Sequence, residues 1–587
     1  MKKAKSFMIL GISIVVCFSI LFSAGAVFTV SKISQKLTEF LKVPESYEDI
    51  YPIVKKATRN DYTIFLEDDM LIEDYATGNL AKSESATATD SVTEQSGSDD
   101  YSDTNIQVDG VDEADIVKTD GKYIYRLSTN KSTLKIIKVG KNPVLESSTI
   151  LENNEHNLSN EMYLYKDYLV ITYHSYSDTG ETVIVIYNVS DVKNPCKTYE
   201  FKQKGNYETS RMIDGKLFFI TNYTILNSDI VRSKPETYVP SVVCNDETKV
   251  FRAKDIRISE EIENANYTVV CSYDVKSGKV ISTKATLCRI NTVYCSNQNL
   301  IVAAYNENDT DIYRYSILQD GKVEFESDGK IKGYLLNQFS IDEYKDNFRF
   351  VTTVNDENEV VNGFVTSVTS SQTNALYVLD EDLKQIGKIE NIAPDERVYS
   401  VRFMGDTAYF VTFRQVDPLF SVDLSNPKKP KIIGALKIPG FSDYLFPFGD
   451  NKLFGIGQDA DEKTGRTGNV KISMFDISAP ANVTEEAKEI LFSNDSESLF
   501  THKATFINKN KNIIGFPMTD YSYDTTSYYM IYSYENGKFV QKAKVDFGKT
   551  FENIRGLYIG EEFYLVSDNT LCVYDINDFS KVAEIKI

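Results

Sequence analysis

KTDGKYIYRLS (Lys118–Ser128), MIDGKLFFIT (Met212–Thr221) and YIGEEFYLVS (Tyr558–Ser567) are three diverged copies of one phrase. Each runs an aromatic or apolar residue into a short polar turn, often Asp-Gly or Gly-Asp, and then into an apolar strand. Six further copies start at Leu164, Tyr294, Glu343, Arg402, Pro447 and Phe506. Downstream of each lies a companion such as VIVIYNVSDVKNP from Val183 or LCVYDINDFSKVAEI from Leu571, an apolar strand ending in Asp or Tyr and a small polar turn. The pair makes a hairpin, and two more strands complete a four-stranded blade. A strand-and-turn unit recurring every ~45–60 residues marks a radial repeat, because one blade leaves an apolar face open and a ring of blades buries it. Nine pairs fall within the 483 residues from Asn105 to Ile587, about 54 residues each. The fold class expected is therefore all-β, a β-propeller of eight or nine blades, closed by pairing near Asn105–Val111. Two stretches are long for a blade and are expected as surface loops: Tyr223–Asn266, rich in charge with Pro235 and Pro240, and Asn355–Asn374, rich in Asn, Ser and Thr.

Upstream, Phe7–Val30 is uncharged over 24 residues and follows Lys2, Lys3 and Lys5. As a helix it would span about 36 Å, enough for a bilayer core of about 30 Å. The cationic start puts the N-terminus in the cytoplasm and the rest of the chain outside. A cleaved signal peptide is the rival, with Ala24-Gly25-Ala26 as its site, and would release a secreted protein. The division expected is residues 1–30 as transmembrane anchor or signal segment, 31–76 as a partly helical juxtamembrane segment, 77–104 as a flexible Ser/Thr/acidic linker, and 105–587 as the propeller. Pro44 and Pro52 are expected to keep the juxtamembrane helices short.

The segment TNIQVDGVDEADIVKTDGKYIY (Thr104–Tyr125) closely resembles the opening of a bacterial and archaeal family of secreted or membrane-attached β-propeller proteins, distantly similar to WD40 repeats. The phrase RVYSVRFMGDTAYFVTF from Arg397 and the stretch from Phe420 also look like that family. The resemblance implies a propeller outside the membrane and carries over no catalytic residue.

The formal charge of −21 argues against nucleic acid or anionic lipid as the main partner, since like charges repel. No phosphate loop, dinucleotide fingerprint, zinc-protease helix or Gly-x-Ser-x-Gly elbow occurs, and no cofactor is predicted. The three histidines, His156, His174 and His502, read as structural or solvent-exposed. Asp191, Asp274, Asp423, Asp476 and Asp575 recur at one place in successive units, which points to scaffold rather than a unique catalytic role. Asp109, Asp112, Glu113 and Asp115 gather hard oxygen ligands within seven residues, a Ca²⁺ candidate without EF-hand spacing; the alternative is turn capping by Asp115 and Asp120. Of seven cysteines, Cys17 lies in the leader; the other six permit disulfides but suit buried free thiols. These features predict an extracellular, membrane-tethered module that binds protein, peptide or cell-wall ligands at the propeller rim. The alternative is a secreted hydrolase or lyase with its site at the channel mouth.

Overall fold

The computed structural model describes residues 41–68 and 100–587, apart from short stretches at 103, 129–131, 152–156, 176–179, 227–229, 260–261, 263, 307, 363–364, 414–416, 462, 523–524 and 550–552. The Phe7–Val30 run and nearly all of the 77–104 linker lie outside the described residues. Among the described residues no helix is long and apolar enough to cross a membrane.

Alternation of apolar and polar residues sets each strand, and two-residue turns set the hairpins. In Met212–Thr221, Ile213 pairs with Lys216 across Asp214-Gly215, whose φ angles are 44° and 70°. Positive φ at both turn positions matches the twist of the flanking strands. A Cβ on Gly215 would stand 2.4 Å from the Tyr165 ring of the neighbouring blade, so glycine also permits close packing there.

Among the described residues the strands form nine sheets, and the four blade strands of each run in sequence order from the axis outward. The nine innermost strands are Val117–Thr119, Asn157–Tyr165, Asn206–Ile213, Thr292–Cys295, the pair Tyr334–Leu335 and Ile341–Tyr344, Arg397–Met404, Phe441–Pro447, Phe506–Asn508 and Arg555–Ile559. The fold is a nine-bladed propeller of four-stranded blades. Its apolar core is divided among the seams: Val111, Phe218, Val270 and Val302 join blades 3 and 4, and Ile124, Ile137, Tyr564 and Val573 join blade 1 to blade 9.

Closure differs from the expected pairing at Asn105–Val111. Tyr101 bridges Ile559, Ser102 N–H donates to the Tyr558 carbonyl and Gly560 N–H to that of Asp100, so ordered pairing begins upstream of Asn105. The first and last blades are each built from continuous chain and meet through side chains. Arg126 of blade 1, 1% exposed, ion-pairs with Asp568 of blade 9 at 2.8 Å.

Both stretches expected as surface loops carry strands. Within Tyr223–Asn266, Ser241–Cys244 and Glu247–Val250 form a hairpin over Asn245-Asp246, with φ of 50° and 65°, and extend blade 2 to six strands. Ile256–Ser259 runs parallel to the outer strand of blade 3, and Leu41–Lys42 pairs with it in turn. Asn355–Asn374 belongs to one long hairpin, Asn347–Asn362 with Val365–Leu379. The helix Tyr47–Asp68 (α1) continues through Pro52, which removes one backbone donor. Docking offsets that loss: Ile50, Val54 and Ala57 are buried against the insertion, Tyr51 packs edge-on to Tyr238, and Tyr47 donates to the Phe251 carbonyl.

The blade 9–1 seam predicts a specific loss. Asp568→Ala leaves the Arg126 charge buried without its carboxylate and is expected to cost about 3 kcal/mol. Adding Arg126→Met should recover most of that loss, both read as shifts of the urea midpoint.

Candidate functional site

The TNIQVDGVDEAD stretch lies across the ring, against the inner strands. Its backbone pairs with two of them: Asp112 exchanges hydrogen bonds with Met212, and Asp115 with Met162. Elsewhere side chains hold it. Asn105 Nδ2 donates to the Thr505 carbonyl, Gln107 Nε2 to those of Gln338 and Ile341, and Asn297 Nδ2 to that of Asp109. The segment thus meets blades 9, 8, 5, 4, 3 and 2 before it enters blade 1.

Three of its four carboxylates each find a different partner. Asp112 pairs with Lys118 at 2.6 Å, Asp115 with Arg555 at 3.1 Å, and Glu113, 2% exposed, accepts from Gln107 N–H and Gln338 Nε2 with Arg211 Nε at 4.0 Å. Arg555 also reaches Glu497 at 2.8 Å, and these two carboxylates raise its pKa against the effect of burial. Three of the four residues considered for Ca²⁺, Asp112, Glu113 and Asp115, are therefore drawn to separate cations and amides, and Asp109 meets Asn297 through its carbonyl. Among the described residues no three His, Cys, Asp or Glu side chains gather as a metal set. Asp120 caps its turn as expected, accepting from Lys122 and Tyr123 N–H.

The groups that meet Glu113 reach the channel where inner strands are interrupted. The 3-10 turn Gln338–Ser340 splits the inner strand of blade 5 and delivers Gln338, which accepts from Arg211. The turns Glu497–Leu499 and His502–Ala504 precede blade 8 and deliver Glu497, His502 and Lys503. Bulges in the inner strands of blades 2 and 3 turn Glu161 and Glu208 toward a small mouth cavity of about 50 Å³, shared with Arg211, Asn291, Gln338 and Lys503. Lys503 Nζ and Tyr207 Oη both donate to Glu161, at 2.7 and 2.6 Å.

His502 is fully buried. Its Nε2 faces the Asn105 carbonyl at 3.2 Å, with Glu113 Oε2 at 3.7 Å, and Nδ1 has no partner among the described residues. Burial, followed by the nearby Lys503, holds its pKa well below the usual imidazole value. No ligand in the mouth can reach this ring, so it serves as packing for the segment. His174 lies in the strand Tyr168–Ser175, and His156 lies outside the described residues. Asp191, Asp274, Asp423, Asp476 and Asp575 each accept a backbone N–H two or three residues on, which fixes the outer turn of their blades. The six cysteines from Cys196 to Cys572 are free thiols, and burial pushes Cys288 and Cys295 up to about 12.

Carboxylates with raised pKa lie elsewhere. Asp328 is pushed up to about 6 by burial and by Asp311 on the same face of blade 4. Asp311 borders a cavity of about 270 Å³ with Asn264, Asn266, Asn306 and Asn308, and pairs with Lys330 at 3.3 Å. Asp443, at a bulge in the inner strand of blade 7, is pushed up to about 8 by desolvation. Neither was singled out in the sequence.

His502 makes stability depend on pH in one direction. The folded chain refuses a proton that the unfolded chain accepts below about pH 6.5, so its contribution is complete above that value and falls as pH drops. Arg211, Arg555 and Lys503 face the ring and oppose its charging, while Glu113 favours it. His502→Gln is expected to flatten the change in urea midpoint between pH 7.5 and 5.5; an unchanged slope would place that dependence in the carboxylates.

A family model described as "Beta propeller domain" matches residues 101–579. An uncharacterized protein of Archaeoglobus fulgidus is 30% identical over 581 residues, covering 83% of this chain and 85% of its own. An uncharacterized protein of Methanocaldococcus jannaschii is 28% identical over 565 residues, covering 83% of each chain. Among solved structures, the computationally designed Ika8 protein superposes with a TM-score of 0.38 at 10% identity, covering 74% of this chain and 98% of its own. A hypothetical selenium-binding protein from Sulfolobus tokodaii superposes at 0.33, also at 10% identity, covering 78% and 94%. With its nine blades and a family match across almost all of them, the chain belongs to the beta propeller domain family.

Proposed function

We propose that the chain is a membrane-tethered binding module, displayed outside the cell, whose propeller presents one face to a protein, peptide or cell-wall ligand. The observation that carries the reading is the polarity of the ring. Residues 100–116 cross the ring against the inner strands, and a polar mouth cavity lies where those strands begin, lined by Glu113, Glu161, Glu208 and Lys503. The long Asn347–Asn362 and Val365–Leu379 hairpin turns back on the mouth side, since it joins the second strand of blade 5 to the third. A rigid ring that carries its long insertions on one face is suited to bind through them. The mouth's carboxylates are already paired, which favours recognition over acid–base chemistry there. Outward display rests on the Phe7–Val30 run and its lysines.

The test is sedimentation of the whole chain, in detergent micelles, with cell envelopes of the producing organism. Saturable co-sedimentation is expected, weakened about tenfold when the hairpin is shortened to join Asn355 directly to Gln372. Absence of saturation, or full binding by the shortened variant, would contradict the reading.

A further inference from the structure

We propose that the cavity of about 320 Å³ where blades 8, 9 and 1 meet the threaded segment binds a small organic monocarboxylate. This cavity is distinct from the mouth, although Lys503 borders both. It lies toward the other end of the ring, reaching Thr119, Asn508 and Tyr558 near the ends of their inner strands. Its volume is in the range of small-molecule sites, which are mostly apolar with a few placed polar groups.

The walls have that character. Ile106, Val117, Ile507 and Leu557 supply an apolar surface, and Lys118, Lys503 and Arg555 line it with cations against one carboxylate, Asp115. The partner carboxylates Asp112, Glu161 and Glu497 stand behind the lining, so the wall presents the positive side of each ion pair. Two donors are left over. Arg555 uses Nε on Asp115 and Nη1 on Glu497 and the Ile554 carbonyl, and Nη2 makes no hydrogen bond among the described residues. Thr505 is 1% exposed, yet its Oγ1 has no hydrogen-bond partner among the described residues. A buried hydroxyl without a partner is costly, so such groups call for an explanation. One guanidinium edge and one hydroxyl offer two points of attachment, which suits the two oxygens of a carboxylate. The apolar wall then takes its hydrocarbon part. Asp115 beside Arg555 disfavours a dianion such as a phosphate monoester.

The probes are benzoate and hexanoate, each compared with its primary amide on the whole chain by thermal shift and ligand-observed saturation-transfer NMR. At least one carboxylate should bind saturably and about tenfold more tightly than its amide, as expected for a hydrogen bond to a charged group. Thr505→Val replaces an unsatisfied hydroxyl with a methyl of the same shape. The variant should melt no lower than the parent and bind the carboxylate about tenfold more weakly. Lack of saturation by either acid, equal binding of acid and amide, or parent-like binding by Thr505→Val would each overturn the proposal. If Thr505→Val does not fold, the comparison of acid with amide on the parent chain decides it.

Discussion

The ion pair between Asp115 and Arg555 joins the start of the propeller to its last blade. Asp115 lies on the segment that leads into blade 1, and its backbone is paired to blade 2 through Met162; Arg555 opens blade 9 and also grips Glu497 ahead of blade 8. Four blades are therefore tied at one buried point. Removing either partner would strand a charge with almost no access to water, the costliest way to break such a contact.

The need for such a device follows from blade number. The seams between blades are closed by apolar clusters, one of which runs through blades 5 to 8. As wedges are added to a ring, its inner strands move apart and leave a polar void lined by backbone edges. Residues 100–116 fill that void with chain. They present main-chain groups to Met162 and Met212 and side-chain amides and carboxylates to Gln338, Arg211 and Arg555. The same packing keeps His502 neutral and aligns Arg555 beside the cavity at Thr505. Unlike a propeller whose last blade borrows a full strand from the first terminus, this one closes by side chains at the seam and by a short backbone pairing of residues 100–102 with blade 9, with the N-terminal segment as an internal strap.

Most of the fold was legible in the sequence because its signals are local. The Asp-Gly turns and alternating strands announce each hairpin within a dozen residues, and the recurring Asp at the outer turns read correctly as scaffold. The strap was visible only as a distinctive phrase. Its acidic residues offered one ion as a candidate beside turn capping because their partners, Arg211, Gln338 and Arg555, stand 98 to 440 residues away in sequence. The insertion after Tyr223 reads as a loop because its strands are only four residues long and the stretch that holds them is rich in charge, with Pro235 and Pro240. Asn245-Asp246 was the available clue, a pair that tolerates positive φ and marks a tight hairpin. Pro52 misled in the opposite sense: the burial of Ile50 and Val54 outweighs one missing hydrogen bond, and no local rule reports that.

The central claim is that residues 100–116 are an integral layer of the ring. Hydrogen exchange of the backbone amides of Asp112, Asp115, Met162 and Met212, followed on the whole chain, tests it most directly. If the strap is built in, all four amides exchange as slowly as Ile301 and Phe350 in the blade cores. If Asp112 and Asp115 exchange at the rate of an open chain while the blade cores stay protected, the segment is a loose terminus and the account fails.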